Sequence, residues 1–508
     1  MTDTEYAADT SLRERIASNP RPALIWIAVL ALLLLLELGA LLQAILDGFS
    51  RLVGFVVERW PEETLVALQT EMQSLVEALN SGKAWAGEIP TLLSRDLIPN
   101  QGHRVSADGP WIGTFPENLP MFDAGLEPMH AWLLRVILVF LYSGMLFGWL
   151  LYGWSIYRRH YRVADWTPRD DVISRFRSHR WGGFGAIIVF MFLTMAIFAP
   201  ALGPTTVQQN IEQPYSYEIQ HFDEESGQVE TTVVGPANAD SASDGAGDSN
   251  VGPWQYDEFS RFHPFGTMPD GKDLFTFMMA GARISLFIGL VAMGIAGTIA
   301  AIAALLTGYY KGLVDLIVVI SGDTVMSIPQ LLLLILLSAV FADHWLGSIY
   351  NGGLIIALIF AGTSWPYLWR AIRGPSLQVA GEEWVDAARS YGQSPRNTMS
   401  KHMLPYITGY LLVYASMSLG GIIIATSALS FLGGGLGVTS PTPEWGRAIA
   451  AGQDFVATQS WHVSMIPGIM IVVVVTAFNA LGDGIRDAID PQSDGGGSQT
   501  TVAGGGGG

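Results

Sequence analysis

The 508-residue chain carries 45 acidic against 27 basic residues, a net charge of -18, and no cysteine; this balance argues against a nucleic-acid-binding surface and excludes disulfides and thiolate metal sites. Half of its residues are hydrophobic, only 14% are charged, and mean hydropathy is +0.35, which places it among membrane proteins. Lysine occurs only at Lys83, Lys272, Lys311 and Lys401, and with abundant Asp and Glu this reads as a surface kept hydrated in high salt, as expected of a halophilic prokaryote.

Residues 1–22 carry Arg13, Arg15 and Arg21 and lead into a first predicted span, 23–46, about 36 Å of helix. This run is too long for a secretory signal and has no small-residue cleavage pattern after it. A second span, 132–156, is followed by Arg158, Arg159, Arg162, Arg169, Arg175, Arg177 and Arg180, a cluster that marks the cytoplasmic side. Further spans are predicted over 182–202, 284–308, 324–341, 353–370, 406–428 and 464–482. The fold class is therefore an all-α polytopic membrane protein of eight spans, with N- and C-termini cytoplasmic. Glu37 lies within the first span and Arg135 near the outer end of the second. They could pair with each other, Glu37 could mark a proton path, or each could meet a polar group elsewhere.

Between the first two spans, 47–130 forms an outer insertion. Within it, 61–79 predicts a helix, because Leu65, Leu68, Met72, Leu75, Val76 and Leu79 fall at spacings of 3 and 4, with Gly82 beyond its end. Such a stripe needs a cover: neighbouring outer loops, the lipid surface or an extracellular partner. Residues 203–262 are polar and acidic, and 237–250, ANADSASDGAGDSN, has almost nothing with which to build a core. That composition predicts a disordered surface loop. The Gly-rich tail 493–508 reads as flexible.

From His263 the chain becomes dense with signals. His263, Gly266, Thr267, Asp270 and Asp273 precede a span in which Ala292, Ala296, Ala300 and Ala304 recur every four residues, a stripe that lets helices approach closely. Asp323 and Pro329 bracket the entrance of the next span and read as an interfacial carboxylate and a kink. The charged island 382–405, EEWVDAARSYGQSPRNTMSKHMLP, lies between two apolar segments. Helix formers run over 382–391, Gly392 supplies a left-handed stop, and Ser394 with Pro395 is an N-cap followed by proline at the first helical position. The expected result is helix, tight turn, second helix. Pro441, Pro443, Trp445 and Gly446 fall in SALSFLGGGLGVTSPTPEWGRAI at 427–449, and FNALGDGIRDAIDP closes the last span at 478–491. No G-x-x-x-x-G-K-[ST] occurs, so there is no phosphate cradle, and no His pair has metal-ligand spacing beside a carboxylate. No catalytic residue, metal site or cofactor is expected on this chain.

The island resembles the cytoplasmic EAA loop of binding-protein-dependent ABC importer permeases, with Asp386 where that motif usually has glutamate. The segment from His263 to Asp273, with Lys272 where arginine is usual, the run GARISL at 281–286, the 427–449 stretch with extra glycine at 433–435, and 478–491 are similar to motifs of the dipeptide, oligopeptide and nickel branch, in the same order. The likeness covers about 181–492. It implies a six-helix type I ABC importer permease core at 181–492, with an outer loop at 203–262 and a coupling loop at 381–405, behind an N-terminal extension, 1–180, with two extra helices. It also implies that Glu382, Glu383, Asp386, Ala387, Ala388, Arg389 and Gly392 meet an ATPase, while Ser394, Pro395, His402, Leu404 and Pro405 shape the loop. His263, Gly266, Thr267, Asp270, Asp273, Pro441, Pro443, Trp445 and Gly446 would form outer-loop motifs. The implied partners are a second homologous permease, two ATP-binding subunits that hold the ATP and Mg²⁺, an extracellular substrate-binding protein and the bilayer of a prokaryotic plasma membrane, by composition that of a haloarchaeon. The implied cargo is dipeptides or oligopeptides, with nickel or another small solute as the alternative. An ion-gradient-driven secondary transporter and a non-transporting scaffold are the readings from other classes.

Overall fold

A computed structural model describes residues 11–57, 62–89, 91–164, 166–245, 250–342, 344–433 and 436–489. The tail 493–508 and Gly434 and Gly435 of the glycine run thus lie outside the described residues. Contacts divide the chain into two compact units, one of Met1–Asp165, Gln220–Thr231 and Phe259–Arg261, the other of Trp166–Ile219, Thr232–Glu258 and Phe262–Gly508. Among the described residues six helices are long and apolar enough to cross a membrane, and up to eight spans result if each of two bent pairs counts as one.

The first unit holds α1 (Leu12–Ser18), α2 (Arg21–Leu35), α3 (Leu38–Val57), α4 (Glu62–Glu88), the short hairpin of β1 (His103–Arg104) and β2 (Trp111–Ile112), and α5 (Pro128–His160). The predicted span 23–46 is not one continuous helix: α2 stops at Leu35 and α3 starts at Leu38. The segment after α4 enters the break, where Leu92 N donates to Leu36 O and Leu93 N donates to the Glu37 carboxylate at 2.8 Å. Arg135, 1% exposed, donates to Asn100 Oδ1 at 2.7 Å and to Leu93 O at 3.3 Å. Glu37 and Arg135 therefore meet the two polar ends of the same residue rather than each other, and Arg135 gains a second partner in the Asn100 side chain.

Helix α4 runs nine residues past the predicted end and passes through Gly82. Gly82 lies inside the helix opposite Leu46 of α3 and is not a stop. Leu79 and Ala86 are buried, while Leu75 and Val76 of the stripe stay exposed. Helices α2 and α5 are knitted by reciprocal bonds, Trp26 Nε1 to Trp149 O and Trp149 Nε1 to Trp26 O, each 3.0 Å, and by Tyr142 OH to Leu33 O at 2.8 Å. Apolar surface alone gives little drive between helices in lipid, and such bonds fix the pair's register.

The second unit begins with α6 (Pro168–Ser178) and α7 (Arg180–Ile197) and continues, after α8 (Val234–Asp240), with α9 (Leu274–Tyr310), α10 (Gly312–Met326) and α11 (Gln330–Val340). It closes with α12 (Gly353–Val379), α13 (Glu383–Ser390), α14 (Leu404–Leu432), α15 (Trp445–Gly452) and α16 (His462–Ile489). The core is α9, 37 residues and about 55 Å long. Its stripe of Ala292, Ala296, Ala300 and Ala304 is wholly buried and packs with Ile356, Ala357 and Phe360 of α12. The predicted span 324–341 is replaced by α10 and α11, bent by 76° at a break that contains Pro329, where the missing N–H and ring clash end a helix. Asp323 pairs with Arg370, and Asp315 receives Arg373 at 2.8 and 2.5 Å.

Residues 203–262 do not form the structureless loop that their composition predicts. Strands β3 (Glu218–Asp223) and β4 (Gln228–Val233) form one two-stranded sheet, and β5 (Gln255–Tyr256) and β6 (Phe262–His263) another. In 237–250, of which 246–249 lie outside the described residues, the core is polar. Asn210 and Asn238 bond to each other, Ser241 Oγ donates to Asp257 at 3.0 Å, and Ser243 Oγ lies 2.7 Å from Thr267 Oγ1. All of these side chains are buried. Satisfied hydrogen bonds replace the apolar core that the sequence lacks.

Candidate functional site

The 382–405 island folds locally as its residues require. Glu382 precedes α13 as N-cap, Tyr391 ends it, and Gly392 turns the chain at φ 73°. Ser394 Oγ then accepts Asn397 N, Pro395 opens a single helical turn, and Met399–Met403 winds as a π-helix straight into α14. The second helix of the expected pair is thus the start of a span, with Leu404 and Pro405 in its first turn. His402 Nε2 sits 3.2 Å from Gln393 Oε1, across the turn.

One face of α13 is docked and the other is open. Val385 and Ala388 are buried; Val385 clusters with Val379, Ala380 and Met403, and Leu305 and Tyr309 of α9 pack against that cluster. Arg389 lies 4.3 Å above the Tyr309 ring, donates to Tyr309 O at 3.3 Å, and is 3.8 Å from Asp386. This clamp ties α13 to the end of the long core helix α9, not only to the spans that flank it. Of the three small residues in the motif, Ala387 and Gly392 face outward whereas Ala388 is turned inward, because its position in the helix matches that of Val385. The open face holds Glu383, Trp384, Asp386, Ala387 and Tyr391. Trp384 is 50% and Tyr391 89% exposed, two aromatic side chains that the motif alone does not single out. An apolar residue on the polar face of a short amphipathic helix is the signal that marks them.

The outer-loop residues form two buried locks. In the first, His263 is held between Asp273, 2.8 Å from Nδ1, and Asp257, 3.3 Å from Nε2. Asp273 also caps α9 by accepting Thr276 N at 2.6 Å, and His462 Nε2 reaches Thr267 O at 2.9 Å. Gly266 has φ 79° and leaves no room for a side chain beside His462. Asp270 is exposed and pairs with Lys272 at 2.7 Å. A neutral imidazole offers one donor, so the arrangement between two carboxylates holds an extra proton. Burial pulls the His263 pKa down, but the hydrogen bonds and charges of Asp257 and Asp273 outweigh it and raise the value above 6.5. A raised folded-state pKa stabilises below the unfolded value, and that stabilisation disappears as pH rises through the folded one. Thermal midpoints measured from pH 6 to 9 are therefore expected to fall more steeply in the wild type than in His263→Gln; parallel curves would refute this.

In the second lock, Glu444 caps α15 and accepts Ser427 Oγ at 2.7 Å and Arg447 N at 3.2 Å. Burial pushes the pKa of this carboxyl up. Trp445, fully buried, donates to Met278 O at 2.8 Å and meets Phe192 edge-on. Gly446 packs on the Ser427 backbone, with Pro443 buried beside it and Pro441 exposed. These residues fasten α15 to α9 through Trp445 and to α14 through Glu444. Among the described residues no group of three or more His, Asp or Glu is placed to hold a metal ion.

The sequence model of the family described as binding-protein-dependent transport system inner membrane component matches residues 276–494, and that of the N-terminal transmembrane domain of oligopeptide transport permease C matches 167–221. Over 236 residues, 46% of this chain and 76% of the relative, the sequence is 35% identical to a probable D,D-dipeptide transport system permease protein of Escherichia coli. It is 32% identical over 330 residues to a glutathione transport system permease protein of Escherichia coli, covering 65% of this chain and 92% of that one. A dipeptide transport system permease protein of Alkalihalophilus pseudofirmus is 28% identical over 326 residues, 64% of this chain and 90% of the relative.

Proposed function

Because the chain belongs to the family of binding-protein-dependent transport system inner membrane components, we propose that it is a transmembrane permease subunit of an ATP-driven ABC importer of dipeptides or oligopeptides. The observation that carries this reading is the two-faced helix α13: one face is locked to α9 through Val385 and Arg389, and the other presents Glu383, Trp384, Asp386, Ala387 and Tyr391 to a partner. In this reading the partner is an ATPase subunit, and ATP with its Mg²⁺ is held there and not on this chain.

The mechanism follows from rigidity. A push on α13 moves the end of α9 through the Tyr309 contact and the Val379, Ala380 and Met403 cluster, and α9 is a single helix of 37 residues. Its far end is fixed by Asp273 and by Trp445, so displacement at the ATPase side reaches the outer locks without passing through a flexible joint. A second homologous permease would complete the passage, two ATPase subunits would drive it, and an extracellular binding protein would deliver cargo. Peptide cargo rests on the relatives, whose names specify D,D-dipeptide, dipeptide and glutathione transport. Glu37, the residue a gradient-driven carrier would use, is committed to the Leu93 amide.

The test is uptake of a labelled dipeptide into vesicles that hold the purified chain with its co-expressed permease and ATPases, the binding protein being added with the peptide. ATP-dependent accumulation is expected. Accumulation driven by an ion gradient without ATP would overturn the reading.

A further inference from the structure

Polar residues of α12 fall on one line. Thr363, Tyr367, Arg370, Gly374 and Gln378 recur at spacings of 3 and 4, so they share one face of the helix half that leads to α13. The half before it, with Ile355, Ile356, Ile359 and Phe360, is apolar and buried. Tyr367, Arg370, Gly374 and Gln378 are exposed. Helices α10 and α11 both add polar groups to this stripe: Asp323 pairs with Arg370, and Gln330 Nε2 donates to Thr363 Oγ1 at 2.8 Å, two turns deeper along α12. Hydrocarbon does not suit such a face. Asp323 stands about 17 Å from the start of α10 at Gly312, and half-exposed charges inside a span turn to water or protein rather than to lipid tails.

The two ion pairs between α10 and α12 differ in hold. Arg373 donates twice to Asp315 and lies 5.7 Å from the Trp369 ring, and the paired side chains are 35% and 21% exposed. Arg370 meets Asp323 through one nitrogen, and these side chains are 48% and 54% exposed. Solvated ion pairs contribute little, so a competing ion displaces one partner at small cost while the Asp315 pair keeps the two helices together.

We infer that this stripe lines the passage for cargo, and that Asp323 and Arg370 part to receive the ammonium and carboxylate ends of a zwitterionic peptide. The inference rests on the peptide-importer reading and names the residues that meet the cargo. Charge complementarity makes the peptide the occupant: the aspartate suits an ammonium, and the arginine fork suits a carboxylate through two hydrogen bonds. Two residues of extended chain span about 7 Å, so the paired side chains separate to hold both ends. A second permease packed on the stripe would instead bury it, and the two outcomes are distinguishable.

Gly374→Cys supplies the reporter. The position is one turn from Arg370, a Cβ there meets nothing within 4 Å, and the chain has no cysteine of its own. The full chain, with its co-expressed permease and ATPases in lipid nanodiscs, is treated with a charged maleimide that reacts with thiols in water, and the adduct on this chain is read by mass. Labelling is expected, and alanylalanine should slow it. Its C-terminal amide and its N-acetyl form each lack one terminal charge and should protect at least about tenfold less well in concentration, the order of one charge-assisted hydrogen bond. Arg370→Gln should erase the advantage of alanylalanine over the amide and keep its advantage over the N-acetyl form; Asp323→Asn should do the reverse. An unlabelled cysteine would place the stripe in a protein interface and overturn the proposal. Labelling that alanylalanine does not slow, or analogue preferences that neither substitution changes, would do the same. Where a variant fails to assemble, the three peptides on the unaltered pair decide: equal protection by all of them sinks the inference. ATP-driven uptake of alanylalanine is measured with the same complex in vesicles. Uptake without protection overturns this inference alone, and no uptake overturns the importer reading with it.

Discussion

Glutamate placed at both Trp384 and Ala387 is expected to release the ATPase subunits from the purified complex and to cut ATP-driven uptake at least about tenfold, while the chain's own thermal midpoint barely moves. The two effects separate because both side chains lie on the open face of α13. Trp384 is half exposed, and removing an exposed aromatic anchor is a loss to the partner interface, where such residues carry about 2 kcal/mol or more. Surface substitutions away from caps and buried partners change stability by about 0.5 kcal/mol or less. Ala388→Glu is the wrong variant for this purpose. Ala388 is 6% exposed on the buried face of α13, so a carboxylate there is a buried charge that would disturb the docking of the helix. It would abolish uptake through misfolding of the loop and leave the docking surface unprobed. Retention of the ATPases and of uptake by the Trp384→Glu, Ala387→Glu variant would refute the assignment of this face.

The same loop shows what was legible in the sequence. Gly392, Ser394 and Pro395 act over three or four residues, so cap and turn chemistry read from the string predicts their conformation. Which face of α13 is buried depends on α9, more than seventy residues earlier, and Arg389 meeting Tyr309 has no sequence signature. The eight apolar segments were visible for a similar reason: hydrophobicity is a local sum. Their breaks were less so. Pro329 announces its own bend, whereas the interruption at Glu37 exists because Leu92 and Leu93 arrive from beyond α4.

Composition misled most at 203–262. Asn210 meets Asn238, Ser241 meets Asp257, and Ser243 meets Thr267, each pair closing a loop of 16 to 28 residues with polar atoms. A rule that equates few apolar residues with disorder counts only one way of offsetting chain entropy. A buried hydrogen-bond network is another, and its members look, one by one, like the residues of a solvated linker.

The outer lock supplies the largest expected effect on stability. Trp445→Ala should lower it by about 3–5 kcal/mol, the range for emptying a large aromatic site, because the ring is fully buried and edge-on to Phe192. Trp445→Phe keeps part of that packing but gives up the bond to Met278 O, and about 1–3 kcal/mol is expected for it. Gly281 provides the independent check. A Cβ there would stand 2.6 Å from Trp445 Cδ1, so Gly281→Ala alone forces the indole out of place. With Trp445 already alanine, that methyl group has room, and the double variant should be less destabilised than the sum of the two single ones. Thermal unfolding of the four proteins in one detergent measures the cycle. Additive losses would mean that the indole and Gly281 do not bear on each other.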